Sequence, residues 1–207
     1  MPITDEPPTA LAVDAHAPRV RGRRLRGSIL RCAADLASVD GLDQVSIGRL
    51  ASAMQMSKSG LYAYFTSKQD LQLATIECAW DVFEQSVLER GLDDLEALLE
   101  RWITYYEDEV FPGGCLFVTA GIEFANRDGA VHDALAAAIE RQLTALQRAV
   151  TQARDQLRIP AETDASQLTF ELHAVLTAGN QHFRISRDPS AFTHARTATH
   201  RLLQPAT

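Results

Sequence analysis

The sequence predicts an all-α fold. Apolar residues recur at three- and four-residue spacing along most of the chain, and helix caps and breakers interrupt that pattern at short intervals. No stretch alternates apolar with polar residues or carries a hairpin turn, and no internal repeat is found. With 207 residues, 46% of them hydrophobic, the chain can bury a core without disulfides or metal.

Residues 1–18 hold four prolines and little apolar content and read as a disordered arm. From about Arg21, the spacing of Leu25, Ile29, Cys32 or Ala33, and Leu36 marks one face of a first helix, which Gly41 stops. Ser46 is an N-cap for a short helix turning Ile47, Leu50 and Ala51 inward. A third begins at Ser57 and runs through Leu61, Tyr62 and Phe65. Ser67-Lys68-Gln69-Asp70 has the form of a capping box and opens a helix over about 68–88.

Leu95, Leu98, Leu99, Trp102, Ile103, Tyr106 and Val110 follow the helical template, with Asp93 and Asp94 placed to favour the dipole at its start. Phe111-Pro112-Gly113-Gly114 breaks that helix. Residues 115–126 are nearly all apolar and predict a short buried helix, and 131–157 an Ala-rich amphipathic one stopped by Pro160. Two last helices span about 165–184 and 190–203.

The formal charge of −7 divides unevenly. Residues 1–18 carry three acids and no Lys or Arg; residues 19–70 carry nine basic groups against four acids; residues 71–207 carry eleven arginines against twenty acids. A basic module therefore precedes an acidic one, and its sign suits a polyanion such as nucleic acid, although a basic cluster also serves simply as a solvated face. Three domains are expected: the arm 1–18, the basic module 19–70, and a helical domain 71–207.

Cys32, Cys78 and Cys115 lie far apart without C-x-x-C spacing, which points to reduced thiols. Met1 to Pro18 has neither the charge nor the apolar core of a secretion signal, and no run of 18 apolar residues occurs, so a cytoplasmic protein without membrane contact is expected. No nucleophile elbow, phosphate loop, dinucleotide fingerprint or H-E-x-x-H is found, and the histidines lack ligand spacing; no enzyme, metal or cofactor is expected.

Two short helices joined tightly within the basic module have the arrangement of a helix-turn-helix, whose second helix enters the DNA major groove. Its second helix is polar at the start, where Ser57, Ser59 and Gly60 permit close approach, and Lys58 adds a base or phosphate contact. Tyr62 offers a hydroxyl to a phosphate, and Lys68 stands at the start of the next helix, where the dipole favours the same anion. Each residue also has a purely structural reading: the serines as caps, the tyrosines as core edge, Lys58 as solvated.

The string Ser57-Lys58-Ser59-Gly60-Leu61-Tyr62-Ala63-Tyr64-Phe65-Thr66-Ser67-Lys68-Gln69-Asp70-Leu71, with Ile29 to Ala34, Gly41-Leu42, Ser46-Ile47 and Leu50-Ala51 before it, resembles the DNA-binding domain of the TetR family of bacterial transcription regulators over about residues 22–82. The resemblance implies a homodimeric repressor that leaves a double-stranded DNA operator when a small molecule enters the C-terminal domain. Carried over by position, Ser46 would touch a phosphate, Ser57, Lys58, Ser59 and Gly60 would face the major groove, and Tyr62, Tyr64 and Lys68 would hold the backbone. Arg21, Arg23 and Arg24 would reach the minor groove from an arm before the first helix. Many members have Gly where this chain has Gln55, so a left-handed backbone there would cost about 1 kcal/mol. An activator of the same fold, or a helical scaffold without specific DNA recognition, is the alternative.

The acidic half resembles the family less specifically. Trp80, Phe83, Trp102, Tyr106 and Phe117, with the polar residues Glu123 and His173, are the expected ligand pocket, although aromatics at this spacing are more often core than pocket. Leu168, Leu172, Val175, Leu176, Gly179, Phe183, Phe192 and Leu202 mark two helices able to form a four-helix dimer interface. A two-fold dimer would set two recognition helices about 34–36 Å apart over a near-palindromic operator, and ligand pressing on helix 68–88 would shift that spacing.

Overall fold

The computed structural model describes residues 16–204, with side chains from residue 22 onward. Those residues form nine α-helices and no strand. The first, α1 (His16–Asp40), packs against α4 (Lys68–Phe83) and α6 (Leu116–Phe124). Between α1 and α4 lie a 3-10 turn (Leu42–Gln44), α2 (Ile47–Ala53) and α3 (Lys58–Tyr62). The C-terminal half adds α5 (Leu95–Glu107), α7 (Ala130–Asp155), α8 (Ala165–Ser186) and α9 (Ser190–Leu202), with α8 packed on both α7 and α9.

Caps set the starts. Ser46, Ser57 and Ser67 accept N–H from Arg49, Gly60 and Asp70, and Asp94 accepts that of Ala97. At α4 the reciprocal half of the capping box is displaced by one residue: the Asp70 carboxylate accepts from the Thr66 N–H at 2.8 Å and the Thr66 hydroxyl at 3.1 Å.

Several boundaries depart from expectation. Helix α1 begins at His16, so the last three residues of the expected arm are helical; Pro18 is tolerated in the first turn, where its missing N–H has no intrahelical partner to lose. Residues 1–15 of that arm lie outside the described residues. Helix α3 is shorter than expected and ends at Tyr62, before the turn that delivers Phe65 to the core.

The helix expected over 68–88 changes at Phe83 into a π turn (Glu84–Leu88), closed by the Glu89 N–H to the Glu84 carbonyl. Phe83 and Val87 both stay buried through it, and Arg101 takes the Val87 and Gly91 carbonyls. Leu157 is exposed rather than part of the α7 stripe, because α7 ends at Asp155 and Leu157 takes the left-handed position after it, φ 59°.

One core runs through the described residues. Its centre is aromatic: the Phe83 ring packs edge-on to Trp102 at 4.9 Å and to Tyr105 at 5.6 Å between centroids. The Trp102 indole N–H donates to the Tyr106 hydroxyl at 2.8 Å, which satisfies two buried polar groups.

Candidate nucleic-acid interface and ligand cleft

The joint between α2 and α3 is a Schellman ending. The Gln55 N–H reaches the Ser52 carbonyl at 3.3 Å, the Met56 N–H reaches the Ala51 carbonyl at 2.9 Å, and Gln55 stands left-handed at φ 54°. The position does require positive φ, and glutamine occupies it. Behind the joint, Leu50, Leu61 and Phe65 are fully buried and tie α2 and α3 to α1 and α4.

In front of it Ser57, Lys58 and Ser59 are exposed, Gly60 is half-buried, and Tyr62 is exposed with Tyr64 half-buried beside it. Ser57 Oγ caps the Gly60 N–H and lies 3.1 Å from Ser59 Oγ. The Lys58 stem crosses Gly48 of α2, its Cε 3.3 Å from where a β-carbon would stand, so Gly48 makes room for it. Ser46 is half-buried at the start of α2. Ser46, Ser57, Lys58, Ser59, Gly60 and Tyr62 thus belong to the helix-turn-helix unit and its outer face.

Lys68 stands at the first residue of α4, as expected, and is also engaged by an acid. Its Nζ lies 2.8 Å from an Asp43 carboxylate oxygen, and Arg127 Nη1 lies 3.2 Å from the other. The hydrogen bond from Lys68, then that from Arg127, holds the Asp43 carboxyl below its usual range. Sequence reading missed this triad, because nothing local links residues 43, 68 and 127.

The other cations of the basic module divide sharply. Arg49 pairs with Asp40; Arg31 pairs with Asp35, donates to the Val110 carbonyl and lies 4.6 Å from the Phe111 ring centroid; Arg26 lies over the Phe65 ring. Lys58, Arg23 and Arg24 are exposed and, among the described residues, have no acidic partner. Arg21, Arg23 and Arg24 lie within α1 rather than in an arm before it, since the helix starts five residues ahead of Arg21; the Arg21 side chain lies outside the described residues.

The expected ligand pocket separates into three parts. Trp80, Phe83, Trp102 and Tyr106 are buried core, as aromatics on an inward helical stripe usually are. Phe117 and His173 line a cleft of about 170 Å³ among α6, α7 and α8, with Val118, Ile122, Ile139 and Gln142. Burial lowers the His173 pKa, which favours the neutral imidazole.

Glu123 is outside that lining. Its carboxylate accepts the backbone N–H groups of Leu42 and Asp43, at 2.8 and 3.0 Å, and so caps the 3-10 turn after α1. The polar residue in an apolar stretch was a sound signal, but it marks a clamp between the two halves of the chain and not a ligand contact. Ser38 adds a second clamp by accepting the Gly113 N–H at 2.9 Å.

The expected dimer residues also face inward. Leu168, Leu172, Leu176, Gly179 and Phe192 are buried within the single chain; Val175, Phe183 and Leu202 are half-buried against it. A β-carbon on Gly179 would stand 3.1 Å from Ala195 Cβ, so the small residues permit close approach of α8 to α9 of the same chain. The outer side of α8 carries Phe170, 68% exposed, and Ile185, 87% exposed. One apolar stripe per helix was legible, and within the single chain most of it is taken up by the chain's own core, with Val175, Phe183 and Leu202 left half-buried.

Two family models match this chain. The one for bacterial regulatory proteins of the tetR family covers residues 29–75, and the one for the tetracyclin repressor-like C-terminal domain covers 91–199, more than half the chain. The chain belongs to the TetR family. It is a TetR-family transcription regulator, and its helix-turn-helix lies within the matched N-terminal span.

A TetR transcriptional regulator from Chloroflexus aurantiacus is similar in structure, with TM-score 0.77 and 24% identity over 89% of this chain and 98% of that one. A TetR-family regulator from Cytophaga hutchinsonii gives 0.75 and 20%, over 88% and 94%. The regulator AibR, solved with isovaleryl coenzyme A and operator DNA, gives 0.69 and 23%, over 87% and 100%. No curated protein sequence matches the chain. Among the described residues no helix is long and apolar enough to cross a membrane, and no group of three or more His, Cys, Asp or Glu is gathered as a metal site.

Proposed function

We propose that this TetR-family protein is a ligand-responsive repressor that binds a near-palindromic operator as a homodimer and leaves it when a small molecule occupies the C-terminal half. One observation carries the reading: α6 belongs to both functions. Its Phe117, Val118 and Ile122 line the cleft, and its Glu123 holds the Leu42–Asp43 backbone next to the helix-turn-helix. A ligand that displaces α6 acts on the DNA-binding unit through that clamp.

This route differs from direct pressure on α4. The cleft is walled by α6, α7 and α8, and α4 is one ring removed, with Trp80 6.4 Å from Phe117. The AibR structure, a complex with isovaleryl coenzyme A and operator DNA, supports such a two-site arrangement.

On the DNA side, Ser57, Lys58, Ser59 and Gly60 read base edges, while Ser46, Tyr62, Tyr64 and the exposed Arg23 and Arg24 hold phosphates. The second copy docks on the outer faces of α8 and α9, and α8 exposes Phe170 and Ile185 there. Selection of bound sequences from random DNA with the purified protein tests the reading. Enrichment of a palindrome with half-sites one helical turn apart is expected; absence of enrichment overturns it in favour of a scaffold.

A further inference from the structure

The C-terminal half is acidic, with eleven arginines against twenty acids over residues 71–207, so two copies of it repel wherever their carboxylates face each other. Helices α8 and α9 are the exception. They hold one acid between them, Glu171, which is half-buried and accepts from the Gln167 amide at 2.8 Å. Four of the six histidines of the chain lie on these two helices. Arg184 and Arg196 are engaged with Glu109 and with Glu100 and Glu107. Apart from Arg201 and the histidines, the exposed residues are uncharged, among them Phe170, Ala174, Gln181 and Ile185 of α8 and Thr197 of α9. A second copy of this chain suits such a face, because two acidic domains meet there without opposing carboxylates.

Two imidazoles stand on that face. His182 of α8 and His194 of α9 are both exposed and line one open groove between the helices, with Ala178, Gly179 and Ala195. His182 lies four residues after Ala178 and three before the exposed Ile185, on one side of the helix. Few charged groups surround them. Asp188, in the loop from α8 to α9, lies near both, and its carboxylate accepts the Ser190 N–H at 2.9 Å; that bond first, and the two imidazoles last, lower its pKa. Arg187 beside it lies 3.8 Å from the Glu109 carboxylate, and His200 and Arg201 stand farther along α9. Each copy therefore brings two imidazoles and one nearby carboxylate to the contact.

Histidine gains its charge between about pH 8 and 5. With both imidazoles protonated, each copy carries an excess positive charge on this face. A two-fold contact sets the same patch of both copies together, so like charges meet while burial strips their hydration. Dissociation then takes up protons, and by linkage the dimer Kd rises as pH falls. We propose that the contact between two copies through α8 and α9 is acid-labile, and that His182 and His194 are the groups that sense the pH. The inference rests on the homodimer reading above and adds its regulation.

Sedimentation velocity of the full-length protein over a dilution series tests it. A dimer is expected at about pH 8, and at about pH 6 its Kd should be about tenfold higher or more. The double variant His182→Gln, His194→Gln keeps polar side chains of similar size that do not charge, so its Kd should agree at the two pH values within about twofold. The double variant His182→Lys, His194→Lys fixes the charge and should raise Kd about tenfold or more at pH 8 itself. Both positions are exposed, so neither variant touches the core, and far-UV circular dichroism checks the helices at each pH.

A parent that is monomeric at pH 8 refutes the homodimer reading, and the inference with it. Three other results leave the homodimer standing and overturn the acid-labile contact: a parent Kd that is equal at both pH values, a glutamine variant as acid-labile as the parent, or a lysine variant that dimerises like the parent. The lysine variant decides at pH 8, where acid unfolding does not enter.

Discussion

The Glu123 carboxylate, on α6, accepts the backbone N–H of Leu42 at 2.8 Å across 81 residues of sequence, and its other oxygen takes the N–H of Asp43. Two donors of a 3-10 turn that follows a glycine at φ 95° are satisfied by one side chain from the other half of the protein. Glu123→Ala leaves both donors unpaired and should lower unfolding stability by about 2 kcal/mol, as charge-assisted hydrogen bonds do. Glu123→Gln retains one acceptor oxygen and should lose less. Urea denaturation of the three proteins checks the order. On the repressor reading, Glu123→Ala also uncouples the halves, so effector should release operator poorly from a variant that still binds both.

Asp43 holds Lys68 and Arg127 together, and its carboxyl titrates below its ordinary value of 3.8. A carboxyl with a depressed folded pKa contributes stability above its unfolded pKa and loses it as pH falls through the folded one. Asp43→Asn should therefore be destabilised relative to the parent near neutrality, with the difference vanishing in strong acid. The same change frees Lys68 for a phosphate. Operator affinity of Asp43→Asn should rise, and the slope of log K against log salt should steepen by about one; Lys68→Ala should leave the parent's slope nearly unchanged and should cancel the steepening when added to Asp43→Asn. Fluorescence anisotropy across a salt series measures both.

Gln55 occupies the left-handed position that closes α2, at φ 54°. Gln55→Gly should stabilise the protein by about 1 kcal/mol by relieving that strain, while Gln55→Ala should bring no gain. Denaturant midpoints discriminate the two. A gain from alanine as large as that from glycine would show that backbone strain is not what the position stores.

Gly113 lies against α1 so closely that a β-carbon would stand 1.8 Å from the Ser38 carbonyl oxygen. Both atoms are tied to backbone, so neither yields cheaply. Gly113→Ala should lower stability by about 3 kcal/mol or more and break the Ser38 clamp. Thermal unfolding and hydrogen exchange at residues 37–42 report it.

His173 is partly buried and titrates below its ordinary value of 6.5 because burial disfavours the imidazolium. As pH falls below that value the unfolded chain takes up the proton first, so stability declines until pH passes the folded pKa. As pH falls through 6.5 the parent should lose stability more steeply than His173→Phe. Equal slopes would mean that the ring charges in place.

Much of the fold was legible residue by residue. Ser46, Ser57 and Ser67 announce three helix starts because a short oxygen-bearing side chain is what the first free N–H groups need, and each does cap its helix. The string from Ser57 to Leu71 was legible for a related reason: caps, joint and recognition face are all local. Gln142 carried a signal that went unread. It stands three residues after Ile139 and four before Leu146, an inward register position occupied by an amide. Other misses had no local signal. Leu172, Leu176 and Phe192 show that their helices have an apolar stripe, but a stripe is equally apolar against the chain's own core and against a partner's.

Helix order, helix faces and the division of the −7 charge into a basic and an acidic module follow from the sequence by itself, because each depends on neighbours within a turn or two or on simple counting. Tertiary structure decided which charges are spent. Lys68, Arg31 and Arg49 are engaged with Asp43, Asp35 and Asp40, while Lys58, Arg23 and Arg24 point to solvent without an acidic partner among the described residues. It also turned Glu123 from an expected pocket residue into a clamp and left Gln142 Nε2 and Thr177 Oγ1 buried without a partner. Periodicity gives the direction of a side chain about its own helix axis. Which helix stands in that direction is set only when the whole chain has packed.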